Sequence, residues 1–244
     1  MLARLILLFL LLLSPLASGT DEAGILSPLI SPTKIDSLSA ERAANPRLRK
    51  IAYWLETARR NGQDLGQVID QAQRGAGYAG TARARVEKAA LIRNVTILER
   101  LGCLTDEGMT KLRKGNAPTI TRGPYTGDVV EVDHVIPRAV VPELDSKLYN
   151  LEFMPGRMNR EKSASVGQRQ VALAMAWHKE GLLSAGGLQA VLKAQASANI
   201  QSPGSGHGAV HGGTTNGNDI FQIREPSYQV PGKHRLEPTA VGSR

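Results

Sequence analysis

Apolar residues recur along this chain at two different spacings, and the switch between them divides it. Leu48, Ile51, Ala52 and Leu55 stand at i, i+3, i+4 and i+7, the stripe of an amphipathic helix, and Gly62 is placed to stop it. A longer stripe follows over 81–101, where Val86, Ala90, Ile97 and Leu101 share one face and Leu91, Val95 and Leu98 widen it. Gly102 ends that helix, and Thr105 with Glu107 and Gly108 opens a short one toward Arg113. Past 118 the period shortens. Residues 119–121 and 129–135 are β-rich, and Gly123, Pro124 and Gly127 supply a turn between them, so the pattern predicts a hairpin. Pro137 cannot donate to a ladder, which should end the second strand near His134. Residues 140–156 read as a loop, Arg157 opens a helix, and two further packing helices are expected at 171–177 and 188–192. Trp54 and Trp177 are expected in the core, as is Cys103 near a helix end.

The two ends differ from this middle. Arg4 precedes an apolar run at 5–13, and Ala17-Ser18-Gly19 offers the small residues a signal peptidase requires, so 1–19 reads as a signal peptide cleaved after Gly19. Export to the periplasm or the extracellular space follows. The run is shorter than the roughly 20 residues a bilayer span needs, so no stable membrane insertion is expected after cleavage. Residues 20–38, rich in Ser, Pro and Thr, read as a linker; 39–115 as a helical region; 116–199 as a core with packing helices; 200–244 as a tail. That tail is loaded with Gly, Ser, Pro, Asn and Thr and should be mostly disordered, His207 and His211 included. The middle, about 150–160 residues, is long enough for its own core.

Charge narrows the partners. The formal net charge is +8, from 30 Lys and Arg against 22 Asp and Glu, and a basic balance favours a polyanion through counterion release. Nucleic acid is the expected partner. Basic residues recur over 42–60, 74–113 and 157–169, but acids are interspersed, so each cluster reads equally well as a solvated helix face. Aromatics make up 4% of the chain, too few for extensive base stacking. One cysteine, Cys103, cannot make an internal disulfide.

The candidate chemistry lies in EVDHVIPRA, in LYNLEFMP and in MNREKS. Phosphodiester cleavage needs a base for water, a cation against the crowded phosphate, and a rigid frame. His134 is the candidate base, because an imidazole titrates near neutrality. Asp133 and Asn159 offer oxygen ligands suited to Mg²⁺, with Mn²⁺ as an alternative, while water and phosphate fill the remaining positions. No thiolate or second histidine lies within 131–162, which disfavours a closed zinc site. Glu131 shares a strand face with Asp133, and Asn159 and Lys162 are three apart on the expected helix. Asp133 and His134 would point to opposite faces of a regular strand, so one site needs a distorted backbone there.

These residues resemble the HNH endonuclease family, whose ββα-metal fold is a hairpin, a loop and a helix around one cation. The resemblance covers 118–168, and the spacing is similar to that of the HNH domain of CRISPR effector nucleases: Glu131, Asp133-His134, Asn150, then Asn159-Arg160-Glu161-Lys162-Ser163. It implies an α+β chain with this motif embedded in a mainly helical domain. It further implies that Asp133 and Asn159, with Glu131 nearby, hold one divalent metal, that His134 activates water, and that Asn150 braces the loop behind it. Lys162 would touch the phosphate or support the metal shell, and Arg138 and Arg160 would steer phosphates. The expected function is a secreted or periplasmic metal-dependent endonuclease acting on DNA, with RNA less favoured. Two alternatives stay open: a noncatalytic exported nucleic-acid-binding protein on the same scaffold, and a secreted structural or adhesion protein. Oligomeric state is not set by the sequence.

Overall fold

The computed structural model describes residues 21–38, 43–162 and 165–201. The expected signal peptide, the tail beyond 201 and Ser163 lie outside the described residues. Within them run α1 (Glu22–Ile30), α2 (Pro32–Asp36), α3 (Ala44–Arg60), α4 (Leu65–Gly75), α5 (Ala82–Arg100) and α6 (Asp106–Arg113). Then come β1 (Val130–His134), β2 (Leu151–Pro155), α7 (Gly156–Lys162), α8 (Gln168–Lys179) and α9 (Ala185–Gln201). The class is therefore α+β, mainly helical with one two-stranded antiparallel sheet among the described residues.

The helices at 48–55, 81–101 and 105–113 form where their stripes place them, and for the expected local reasons. Thr81 and Thr105 cap α5 and α6 by accepting from the backbone N–H of Ala84 and Gly108, and Gly102 leaves α5 with φ +67°. Residues 20–38 correct the linker reading, because they hold α1 and α2. Two of these residues are start signals, although Pro28 lies inside α1: Asp21 caps α1 through the Gly24 N–H, and Pro32 stands at the first turn of α2, where a missing N–H costs nothing. Leu26, Ile30 and Ile35 are at most 1% exposed, and α1 packs on α4 and α3. The buried Glu22 carboxylate accepts from Asn61 (2.9 Å) and Gln63 (2.8 Å), and the Arg47 guanidinium donates to the Pro28 carbonyl at the end of α1 (3.2 Å). Helix α4, unpredicted, is capped by Asp64 and buries Val68, Ile69 and Ala72.

The sheet departs further from expectation. Residues 118–120 bond back to 127–130 through the Ile120 N–H to the Asp128 carbonyl (2.8 Å), the Gly127 N–H to the Ile120 carbonyl (2.9 Å), the Val130 N–H to the Pro118 carbonyl (3.0 Å) and a Thr119–Val129 bridge. The expected hairpin is thus present in short form, while the paired strand partner of β1 is β2, within the segment expected to be loop. The register runs from Val130 opposite Pro155 to His134 opposite Leu151. Strand β2 is short and buried at every position, so it lacks the alternation that marks a half-exposed strand. Among the described residues its outer edge has no third strand. The Asn94 side chain, buried in α5, takes that place by donating to the Leu151 carbonyl (2.9 Å) and accepting from the Phe153 N–H (2.8 Å).

A second cluster packs the connection from β1 to β2 against α8 and α9. Val135, Ile136, Val141, Leu144 and Tyr149 meet Trp177, Leu183 and Val191 there. Tyr149 and Trp177 lie edge to face with centroids 4.9 Å apart, and the Tyr149 hydroxyl donates to the Leu182 carbonyl (2.9 Å). Trp177 is core, as expected, whereas Trp54 is only half-buried on α3. Cys103 is buried, and that burial pushes its thiol up to about 12. Among the described residues no helix is long and apolar enough to cross a membrane.

Candidate active site

Alternation along β1 builds the site. Val130 and Val132 turn into the core, which leaves Glu131 and Asp133 on the opposite face, against α7. Helix α7 is pinned there from its start. The Gly156 N–H donates to the Val129 carbonyl (3.0 Å) and the Arg157 N–H to the Asp128 carboxylate (2.8 Å), a bond that holds the Asp128 carboxyl below its usual range. A Cβ on Gly156 would stand 2.7 Å from Glu131 Oε1, so a larger residue here would have to push the Glu131 carboxylate aside.

Three side chains of α7 then land on β1. The Asn159 amide donates to Glu131 Oε2 (2.8 Å), Arg160 Nη1 lies 3.4 Å from Glu131 Oε1, and the Lys162 ammonium donates both to the Asp133 carboxylate and to the His134 carbonyl (2.7 Å). Both Glu131 oxygens are thus engaged by α7. Glu131 is an anchor that turns the Asn159 amide, with its nitrogen toward the strand and its carbonyl oxygen bonded to no described side chain.

His134 occupies the last paired position of β1, and the ladder stays regular through it. No distortion folds it back toward Asp133. Its ring instead turns to the connection between the strands, where Nε2 lies 2.9 Å from the Asp145 carbonyl and 3.0 Å from Asp145 Oδ1. Both partners can only accept, so Nε2–H is the donor, and in the neutral ring the lone pair falls to Nδ1. The ring is 14% exposed, enough for water to reach it.

The connection is held by Asn150, which is fully buried. Its Oδ1 accepts from the Ile136 N–H (2.8 Å), and its Nδ2 donates to the carbonyls of Ile136 (3.0 Å) and Leu144 (3.3 Å). One amide thereby ties the segment after His134 to the segment before Asp145. Opposite Asp133, the buried Glu152 accepts two bonds from Arg169 (2.9 and 2.8 Å), with Arg93 at 3.7 Å. Burial alone would raise the Glu152 carboxyl, but the Arg169 bonds and the charges of Arg169, Arg93 and Lys162 bring it below its usual range.

The structure therefore brings Glu131, Asp133, Asn159, Arg160 and Lys162 together across β1 and α7. It joins His134 to them through its carbonyl, and places Asn150 behind the histidine. Arg138 is exposed on the segment after β1. Among the described residues no cluster of three or more His, Cys, Asp or Glu side chains is placed to hold a metal. The donors that do share the strand and helix face, Asp133 and Asn159, are hard oxygen ligands and fit a cation that keeps most of its own water. Sequence reasoning missed Asp145, Glu152 with Arg169, and Asn94. Asn94 alone left a trace, as a polar residue on the apolar face shared by Val86, Ala90, Ile97 and Leu101. No family model, curated protein or solved structure matches this chain.

Proposed function

We propose that this chain is an exported, metal-dependent HNH-type endonuclease that hydrolyses phosphodiester bonds of DNA, with RNA a less favoured substrate. The supporting observation is the state of His134: at the end of a strand crossed by α7, its Nε2 is tied to two acceptors and its Nδ1 is left to accept a proton. His134 takes the proton of the attacking water at Nδ1, and Asp145 steadies the imidazolium that results. Asn150 keeps the connection, and so the ring, in place. Lys162 holds Asp133 against the end of β1, Glu131 aims the Asn159 amide, and the exposed Arg138 and Arg160 draw in the phosphate backbone. Asp133 and Asn159 would hold one Mg²⁺, with Mn²⁺ as a substitute, and when bound it would neutralise charge on the phosphate and its leaving oxygen.

The test is nicking of supercoiled plasmid with Mg²⁺, with and without chelator. His134→Ala is expected to lower cleavage by about 10²–10⁴-fold with an unchanged melting temperature. Cleavage by that variant at the parent's rate would remove His134 as base, and parental cleavage in chelator would remove the cation. A second reading, a noncatalytic nucleic-acid-binding protein, is favoured by one observation: the Lys162 ammonium already neutralises Asp133. It predicts salt-sensitive DNA binding with plasmid left intact.

A further inference from the structure

The outward side of α3 carries residues that the candidate active site does not use. Leu48, Ile51, Ala52 and Leu55 turn inward, so Arg49, Lys50, Tyr53 and Trp54 fall within the opposite arc. Lys50 is exposed and makes no ion pair among the described residues, while Tyr53 and Trp54 are half-buried, edge to face, with centroids 5.0 Å apart. Half-burial fixes the rings and leaves part of each open.

Arg49 is the partly buried member of this surface. Its Nη1 donates to the Gly115 carbonyl (3.3 Å), its Nε is buried without a partner, and burial lowers its basicity while the nearby Glu131 charge restores part of it. Glu131 is the same carboxylate that anchors Asn159 and Arg160. A partly desolvated guanidinium gains more from an anion than a fully hydrated one does. Lys50 runs alongside, since its Cε lies 3.3 Å from the position of a Cβ on Gly115. At the far end of α3, Arg59, Arg60 and Arg122 line a cleft of about 220 Å³. Arg59 and Arg60 are bonded there to the buried Glu56, so the cleft is the weaker half of the surface.

We infer that the outward face of α3 binds a single-stranded segment of nucleic acid flanking the scissile phosphate, with Arg49 and Lys50 on phosphates and Trp54 stacked on an unpaired base. The inference rests on the proposed function and assigns its substrate track. Duplex DNA offers phosphates but no free base face, so the aromatic pair favours the unpaired strand. From Arg49 to Arg60 the helix rises about 16 Å, long enough to run beside a few consecutive nucleotides of one strand.

Binding of a labelled oligothymidylate and of a duplex, measured in the full chain carrying His134→Ala, tests it without cleavage. Trp54→Ala should weaken oligothymidylate binding about tenfold. Arg49→Ala and Lys50→Ala should each weaken it and reduce the slope of log K against log salt by about 0.7. The oligonucleotide should quench tryptophan emission, and Trp54→Phe should abolish the quenching, because Trp177 is buried. Circular dichroism melts confirm that the variants fold. Affinities within twofold of the parent in all three alanine variants, quenching that survives Trp54→Phe, or tighter binding to duplex than to single strand would overturn it. If the native chain nicks plasmid while these variants bind normally, this inference fails and the nuclease stands. If the variants lose binding while the native chain cuts nothing, the α3 track stands and the nuclease falls.

Discussion

Asn150 illustrates how much one buried amide decides. It makes three bonds to two backbone segments that otherwise meet through apolar packing, so Asn150→Ala would orphan an N–H and two carbonyls in a dry interior. A loss of about 3 kcal/mol is expected in urea denaturation, with cleavage falling in step; a loss under about 0.5 kcal/mol would show that water replaces the amide. The type and number of Asn150 were legible in the sequence through its resemblance. Its partners were not, because they lie 14 and 6 positions away in segments with no regular hydrogen bonding. Gly156 raises a different question. A methyl there would meet Glu131 Oε1 at 2.7 Å, so Gly156→Ala must displace either the carboxylate or α7, at about 1–3 kcal/mol. In a double-mutant cycle, Glu131→Ala should recover part of that cost, since it removes the colliding atom. Strict additivity would mean the helix backbone, and not the side chain, yields.

At the scale of elements, α3, α5 and α6 were readable, whereas α1, α2, α4 and the β1–β2 pairing were not. Helices α5 and α6 carry their stripe, cap and stop within a single segment, and α3 its stripe and stop, so their sequences suffice. Strand β1 was also visible, including its end near His134, but its partner was misassigned. The segment near in sequence bonds only the start of β1, through the Val130 N–H to the Pro118 carbonyl, while β2 takes the other edge along its whole length, its five buried residues held on their far side by the Asn94 amide. The Glu152–Arg169 pair ties β2 to α8 in the same way, and its pH dependence can be signed. The folded Glu152 carboxyl lies below its ordinary 4.5, so its stabilising effect is complete above about that pH and is lost as pH falls through the lower folded value. Glu152→Gln should be less stable than the parent by about 3 kcal/mol at pH 7. The difference in melting temperature should shrink at pH values below 4.5, and a constant difference across that range would contradict the assignment.

For the whole molecule, burial outweighs surface charge in holding the N-terminal helices to the rest. Asp36 of α2 bridges Arg83 (3.0 Å) and Lys147 (2.7 Å), but its side chain is 41% exposed, whereas Ile35 beside it is fully buried. Ile35→Ala should therefore cost about 3 kcal/mol and Asp36→Ala less than about 1 kcal/mol in chemical denaturation. The reverse order would make the ion pairs the principal tie. That contrast also explains why 20–38 resembled a linker: its Ser and Pro residues are prominent in composition, while three buried apolar side chains matter more once a surface exists to receive them. The sequence alone determined the helical stripes and their caps, the end of β1 at His134, the basic balance, and the presence of a histidine, an acid, two asparagines and a lysine at a telling spacing. Only the tertiary structure decided that β1 pairs with β2, that Glu131 aims Asn159, and that Asp145 sets the tautomer of His134. Periodicity reports what a residue shares with its near neighbours, whereas a buried hydrogen bond is selected by whichever distant group is left without water when the chain closes.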